Sequence, residues 1–472
     1  MFLDKNNSQF IIIITSIFLY VFVICNDLEE ELSSLGERCF CKLKGRIDDC
    51  NCSVDTVDYF NNVKIHPRLK SLLRKDYFRY FRVNLNRDCP FWEVDSKCAI
   101  RDCSVKTCPD EQIPPGIKGQ HQPKSHHNKY SQETQDLDNC DENHGGLGAV
   151  DSTISDENKE EFARWQHHDN AQENFCELDD ETSIDMQYVD LQLNPERYTG
   201  YKGASAHRVW KSIYEENCFT LRDNYGPYST SRNINWIEVI NPMCLEKRAF
   251  YRAISGLHTS ISIHLCAQHY TKAKNGFSPG EWRPNVEEFR KRYDPELTNN
   301  EGPQWLKNLY FVYLLELRAI AKAAPFLEQE YFYTGNEEED ESVRQAIKEI
   351  LEIANSFPDH FNESVMFSGN KKQAKIMKEE FRRHFWNISR IMDCVGCDKC
   401  RLWGKLQVQG LGTAFKILFS VNQLKTFDSN VKKNRFHLTR TEILTLFNAF
   451  GRLSNSVYQL EVFRNLLKSK TD

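Results

Sequence analysis

The chain has 472 residues, 40% hydrophobic and 12% aromatic, which is ample material for a core and excludes a disordered, collagen-like or coiled-coil protein. Its 67 acidic and 61 basic residues leave a net charge of −6, so there is no basic surplus for binding nucleic acid. Its 17 cysteines exceed what stability asks for at this length and need a chemical explanation.

Residues 1–26 read as a secretory signal peptide. Lys5 supplies the positive start, Phe10 to Cys25 is an almost unbroken apolar run, and Val23 and Cys25 suit positions −3 and −1 of a cleavage site. That run of 16 residues, at about 1.5 Å each, falls short of a ~30 Å hydrocarbon core, which disfavours a membrane anchor. The mature chain is then expected in an oxidising lumen as a single domain over 27–472, with 16 cysteines.

Residues 37–110 are cysteine-rich. In Cys39-x-Cys41 and Cys50-x-Cys52 the outer and inner pairs have equal index sums. A hairpin turning near Lys44-Gly45 would place Cys39 opposite Cys52 and Cys41 opposite Cys50, while the spacing suits zinc poorly. Cys98, Cys103 and Cys108 follow at equal intervals, with Cys140 downstream. They allow several nearly equivalent pairings, which suits thiol–disulfide exchange better than a fixed staple. Residues 111–160, with Pro114-Pro115-Gly116 and Gly145-Gly146, read as a long mobile loop region. Cys218 and Cys244 read as one structural bridge, Cys176 and Cys266 have no obvious partner, and Cys266 reads as a core thiol.

From about 195 the pattern is helical. Pro303 is placed at the first position of a helix carrying Leu306, Leu309, Tyr310, Tyr313, Leu314 and Leu317 at i, i+3, i+4 spacing. Further helices are expected over 342–355, 371–391, 402–420 and 439–468, divided by an acidic loop from Gly335 to Glu341 and by Pro358. Strand signals are few, so the fold class is mainly α with an irregular, disulfide-bonded N-terminal part. Gly410-Leu-Gly412 comes nearest to a dinucleotide fingerprint, but Phe415 takes the third glycine position and no strand precedes it.

Within this helical half lies Cys394-x-x-Cys397-x-x-Cys400. Either adjacent pair has helical spacing suited to a disulfide; Cys394 and Cys400 are too far apart to bond, so one cysteine must pair elsewhere. A C-x-x-C pair opening a helix also has the lowered thiol pKa that exchange chemistry needs. Asn362 and Asn387 are expected glycosylation acceptors, whereas the Asn51 sequon is blocked by flanking cysteines. The final Lys470-Thr471-Asp472 is not a retention tetrapeptide, so a partner would have to hold the protein in the endoplasmic reticulum.

The stretch Cys394-Val-Gly-Cys-Asp-Lys-Cys400-Arg-Leu-Trp-Gly-Lys405 resembles the endoplasmic reticulum oxidoreductin family. So do Asn194-Pro-Glu-Arg-Tyr-Thr-Gly-Tyr-Lys-Gly203, Lys247-Arg-Ala-Phe-Tyr-Arg252, Ser255-Gly-Leu-His258 and Tyr77-Phe-Arg-Tyr-Phe-Arg-Val-Asn84. The resemblance runs from about Arg38 to Leu467 and is strongest to animal members. It implies a helical bundle enclosing FAD and a thiol oxidase that reoxidises protein disulfide isomerase, with molecular oxygen as acceptor and hydrogen peroxide as product. The implied catalytic set is an outer shuttle pair, Cys98–Cys103, on a mobile loop, and an inner pair, Cys397–Cys400, with Cys400 facing the flavin. Cys394 is then bridged to Cys89, beside the staples Cys39–Cys52, Cys41–Cys50 and Cys218–Cys244. Alternative bonds Cys98–Cys140 and Cys103–Cys108 would lock the shuttle.

The implied cofactor contacts are Arg197, Thr199, Trp210, Ser255, His258 and Arg292. Trp305 departs from the pattern, which has a further arginine there, and leaves that contact to Gln304, Lys307 or its own indole. The implied location is the endoplasmic reticulum lumen, held through partners and allowing peripheral contact with the membrane. No metal is expected. The rival readings are a metal-binding secreted protein using Cys394, Cys397 and Cys400, and an inert disulfide-rich interaction protein.

Overall fold

The apolar 3.6-residue periodicity of the C-terminal half folds as a helical bundle in the computed structural model, which describes residues 54–92, 103–119, 174–179, 183–196, 201, 204–216, 245–271, 281–357, 371–419 and 438–469. The expected leader, Cys39, Cys41, Cys50, Cys52, Cys98, Cys140, Arg197, Thr199, Cys218, Cys244 and Asn362 lie outside these residues. Helices α1 (Val54–Tyr59) and α2 (His66–Leu72) flank a π turn, and α3 (Asp76–Arg79) runs into strand β1 (Tyr80–Val83). Then come α4 (Pro115–Gly119), β2 (Gln187–Asp190), α5 (Ala204–Glu216), α6 (Leu245–Ala267), β3 (His269–Thr271) and β4 (Glu281–Arg283). The remaining helices are α7 (Val286–Tyr293), α8 (Glu301–Leu327), α9 (Glu337–Asn355), α10 (Lys371–Ile391), α11 (Asp398–Phe419) and α12 (Arg440–Lys468).

The core is built from α6 against α8 and α11 against α12. α12 is buried along most of its length, and its start is fixed by a capping box between Thr439 and Glu442. Two glycines permit close approach. A Cβ on Gly256 of α6 would overlap the Asn308 carbonyl of α8, and one on Gly410 of α11 would overlap the Thr445 carbonyl of α12. Gly410 therefore serves helix packing. An aromatic seam joins α6, α10 and α11, with Phe250–Phe381 at 4.7 Å, Phe381–Phe415 at 5.1 Å and Phe385–Phe415 at 5.2 Å between ring centroids. Among the described residues no helix is long and apolar enough to cross a membrane.

Several boundaries differ from expectation. Asn300 caps α8, so Pro303 is its third residue, still within the turn where a missing N–H costs nothing. The acidic run is helical: Glu337 to Asp340 form the first turn of α9, where carboxylates favour the dipole and Asn336 accepts from Glu338 N (3.1 Å) and Glu339 N (3.3 Å). The start of the expected loop region is anchored. Ile113 and Ile117, four residues apart, pack with Tyr80 and Tyr188, and Gly116 N donates to Thr334 O at 3.0 Å. β1 pairs antiparallel with β2, and Thr107 bridges to Val189 of β2.

The start of α11 is held most firmly. The disulfide Cys89–Cys394 joins residues 305 apart, ahead of α11. Arg401 donates to Val395 O (2.8 Å) and Leu85 O (2.5 Å), and Lys405 to Asn84 O (2.9 Å). Lys405 Nζ also meets Asp179 at 2.9 Å and the buried Asp393 at 2.7 Å. Arg87 pairs with Glu177 and Asp179, and Arg390 with Glu177 at 2.7 Å, which closes a cluster of three cations and three carboxylates. Burial pushes the Asp393 carboxyl up, and Lys405 and Arg87 oppose it.

Lys405→Met is expected to cost about 3–5 kcal/mol near neutral pH, because it strands buried carboxylates. Without Lys405 the folded-state pKa of Asp393 rises further above its unfolded value. The cost is then full above that pKa and shrinks as the pH falls through it, so neutral and mildly acid pH are compared. Urea denaturation of both proteins at both pH values checks this, and an equal loss at the two would contradict it.

Candidate active site: three clustered redox sulfurs

Cys397 occupies the N-cap of α11. Its carbonyl accepts the first helical bond from Arg401 N at 2.7 Å, and its Sγ accepts from Cys400 N at 3.3 Å. A sulfur in that place faces the first-turn N–H groups and positive end of the helix, the setting that favours thiolate after reduction. Cys397 and Cys400 are bonded to each other with Cα atoms 5.1 Å apart, and Cys394 is bonded to Cys89 with Cα atoms 4.5 Å apart. All three sulfurs of the motif are thus in disulfides. The metal-ligand reading is corrected on that ground, since a disulfide sulfur is not the thiolate a metal needs.

Cys103 packs directly on the inner pair. Cys103, Cys397 and Cys400 form one buried cluster, 8%, 7% and 1% exposed, walled by Tyr201 and Val395. Cys103 is disulfide-bonded. Every other described cysteine is either paired as above or, like Cys108, Cys176 and Cys266, outside any disulfide, so the partner of Cys103 lies outside the described residues. Cys103 and Cys108 are therefore not bonded to each other here. Cys108 is half-buried, its N donates to Tyr188 O at 2.8 Å, and burial with the neighbouring Asp190 pushes its thiol pKa up. Cys266 is fully buried, as expected, and the equally inert Cys176 thiol donates to Val408 O at 3.2 Å.

Four of the six expected cofactor contacts are described. Trp210 of α5 stacks on His258 of α6 with ring centroids 3.8 Å apart and an 8° interplanar angle. His258 Nδ1 meets Tyr214 OH at 3.1 Å. Burial, helped by the Arg292 charge, lowers the His258 pKa to about 3, so the imidazole is neutral at physiological pH. Arg292 of α7 donates to Glu288 Oε2 at 2.7 Å and reaches Cys266 Sγ at 3.7 Å. Ser255, one turn before His258, accepts from Asn308 Nδ2 at 3.0 Å. Trp305 lies one turn before Asn308 on α8, is buried among core side chains and carries no charge to replace an arginine.

These side chains fit a flavin. They combine a stacking indole, a guanidinium for phosphate, a neutral imidazole and a buried hydroxyl. A further observation supports the fit. Gln407, two turns beyond Cys400 on the same face of α11, is buried, and neither atom of its amide is hydrogen-bonded among the described residues. Such an amide matches the donor and acceptor edge of an isoalloxazine. Sequence reading missed Gln407 and Asn308, and the only signal for either was a polar residue on an otherwise apolar helical face.

Comparison with known proteins agrees with this geometry. The family model described as Endoplasmic Reticulum Oxidoreductin 1 matches residues 64–460. The Ero1-like protein of Drosophila melanogaster is 51% identical over 458 residues, covering 92% of each chain. The human ERO1-like protein alpha is 50% identical over 93% of this chain and 94% of its own. A solved structure of a Saccharomyces cerevisiae Ero1p variant superposes with a TM-score of 0.57 at 27% identity, over 89% of this chain and 99% of that one. A second Ero1p structure, of a protein described as a source of disulfide bonds for oxidative protein folding in the cell, gives 0.55 at 28% identity over 89% of this chain and 100% of that one. The chain therefore belongs to the endoplasmic reticulum oxidoreductin 1 family and is an oxidoreductase of disulfide formation in oxidative protein folding.

Proposed function

We propose that this chain is an FAD-dependent thiol oxidase of the endoplasmic reticulum lumen that reoxidises protein disulfide isomerase and uses molecular oxygen as acceptor, forming hydrogen peroxide. The observation that carries the reading is the packing of a disulfide-bonded Cys103 on the bonded pair Cys397–Cys400. An outer and an inner disulfide in contact support a two-step relay.

In the first step a thiolate of reduced isomerase attacks the Cys98–Cys103 disulfide, and its second thiol resolves the mixed disulfide. The isomerase leaves oxidised, and Cys98 and Cys103 hold the two electrons as thiols. In the second step Cys103 attacks Cys397, the more exposed inner sulfur, and releases Cys400; Cys98 then resolves the Cys103–Cys397 bond. The shuttle disulfide is restored and the inner pair is a dithiol. Bound flavin supplies the two-electron acceptor that connects this dithiol to oxygen.

Arg197, Thr199, Trp210, Ser255, His258 and Arg292 are the residues proposed to hold the flavin. The charge of Arg292 suits its phosphates, and the Trp210 indole suits stacking. Cys98–Cys140 and Cys103–Cys108 are the proposed locking bonds. The free Cys108 thiol suits an unlocked enzyme. Retention in the lumen is assigned to partners, with glycans at Asn362 and Asn387.

Replacing Cys400 with Ala is expected to abolish oxygen uptake with reduced isomerase while the protein keeps its yellow flavin band near about 450 nm. Turnover retained in that variant would overturn the relay. Cys140→Ala is expected to shorten the lag before oxygen uptake begins, and an unchanged or longer lag would count against a lock at that site.

A further inference from the structure

The geometry points to Asn194 as a latch that seats the shuttle sulfur Cys103 on the inner pair. This rests on the reading of Cys98–Cys103 as the shuttle. Asn194 is fully buried. Its side chain makes a reciprocal pair with the backbone of Lys106: Lys106 N donates to Oδ1 at 2.7 Å and Nδ2 donates to Lys106 O at 2.8 Å. Its own carbonyl accepts from Trp403 Nε1 at 2.8 Å. Lys106 stands three residues after Cys103, and Trp403 stands three residues after Cys400, one helical turn along α11. One residue thus joins the arm carrying the outer sulfur to the helix carrying the inner pair.

The residue type suits the task. A planar amide offers a donor and an acceptor side by side and completes the backbone pair as a neighbouring strand would. Aspartate offers only acceptors, so it would lose the bond to Lys106 O and add a buried charge. The neighbouring contacts agree with a seated arm. Val105 and Trp403 both pack against the cluster of Phe81, Leu402 and Leu406, and Thr107 bridges to Val189. Asn194 Nδ2 also donates to Asp190 O at 2.9 Å, which holds the latch residue in its own turn.

Seating sets the effective concentration of one sulfur at the other, and a displacement of about 1 Å at a reacting centre is enough to cost about 100-fold. Asn194 is thus a positioning residue, acting through Lys106 and Trp403.

The test isolates this from turnover. In a protein carrying Cys98→Ala, Cys108→Ala, Cys140→Ala and Cys400→Ala, Cys103 and Cys397 remain as single thiols facing each other, with the proposed locking partners removed. Oxidised glutathione converts them to one disulfide with release of two reduced glutathiones, so a glutathione redox titration reads the effective concentration directly. Adding Asn194→Ala is expected to lower that effective concentration about 100-fold. Adding Trp403→Phe instead, which keeps an aromatic ring and removes the N–H, is expected to lower it about 10-fold.

If Asn194→Ala fails to fold, as judged by its thermal transition, the Trp403→Phe arm decides alone. An effective concentration unchanged in the folded variants would overturn the latch and leave the shuttle reading standing. No Cys103–Cys397 disulfide in the parent with Asn194 intact would overturn the shuttle reading and the latch together.

Discussion

The N-terminus of α11 presents the N–H groups of its first turn and a positive dipole end, and Cys397 sits on it as the cap, accepting from Cys400 N. That arrangement works only if the helix start is fixed to within a fraction of an ångström relative to everything that approaches it. The fold devotes a long-range disulfide, two backbone clamps and a buried ion cluster to that purpose. Removing any one charge from the cluster strands others in the interior, so the elements it joins hold their relative positions as a unit. Cys397, Cys400 and the Cys103 packed on them lie at this fixed point.

Burial separates the roles of the sulfurs. Cys89 and Cys394 close a loop spanning most of the domain, and such a bond is a strong constraint on the unfolded chain. Cys397–Cys400 joins residues only three apart and contributes little in that way, which accords with the exchange role proposed for it. Cys176 and Cys266 are buried in the core cluster, Cys266 within reach of Arg292, and burial pushes the Cys176 thiol well up, where a thiol is inert. The cysteine surplus thus divides by environment: helix N-terminus, domain tie, or core filler.

Much of this was legible in the sequence. The helical periodicity placed α10 and α12 almost to the residue, because long amphipathic or buried helices repeat their pattern many times. The acidic start of α9 was misread, since carboxylates that stabilise a helix N-terminus look, in sequence, like a solvated loop. Spacing showed that one of Cys394, Cys397 and Cys400 needed an outside partner, but local geometry could not choose which. The choice was made by a residue 305 positions away, named only through the family resemblance. Asn194 lay inside a quoted motif without a role, because its partners are 88 and 209 residues distant. Polar residues whose meaning is a long-range pair are invisible until the chain is folded.

In the proposed relay one outer and one inner disulfide face each other, with Cys394 excluded from the exchange. Peptide mapping of the oxidised, active protein without reduction is the direct test. Linked peptides are expected for Cys89–Cys394, Cys397–Cys400 and Cys98–Cys103, with Cys176 and Cys266 recovered as thiols. A peptide joining Cys394 to Cys397 would contradict the relay, because the inner pair Cys397–Cys400 would then not exist.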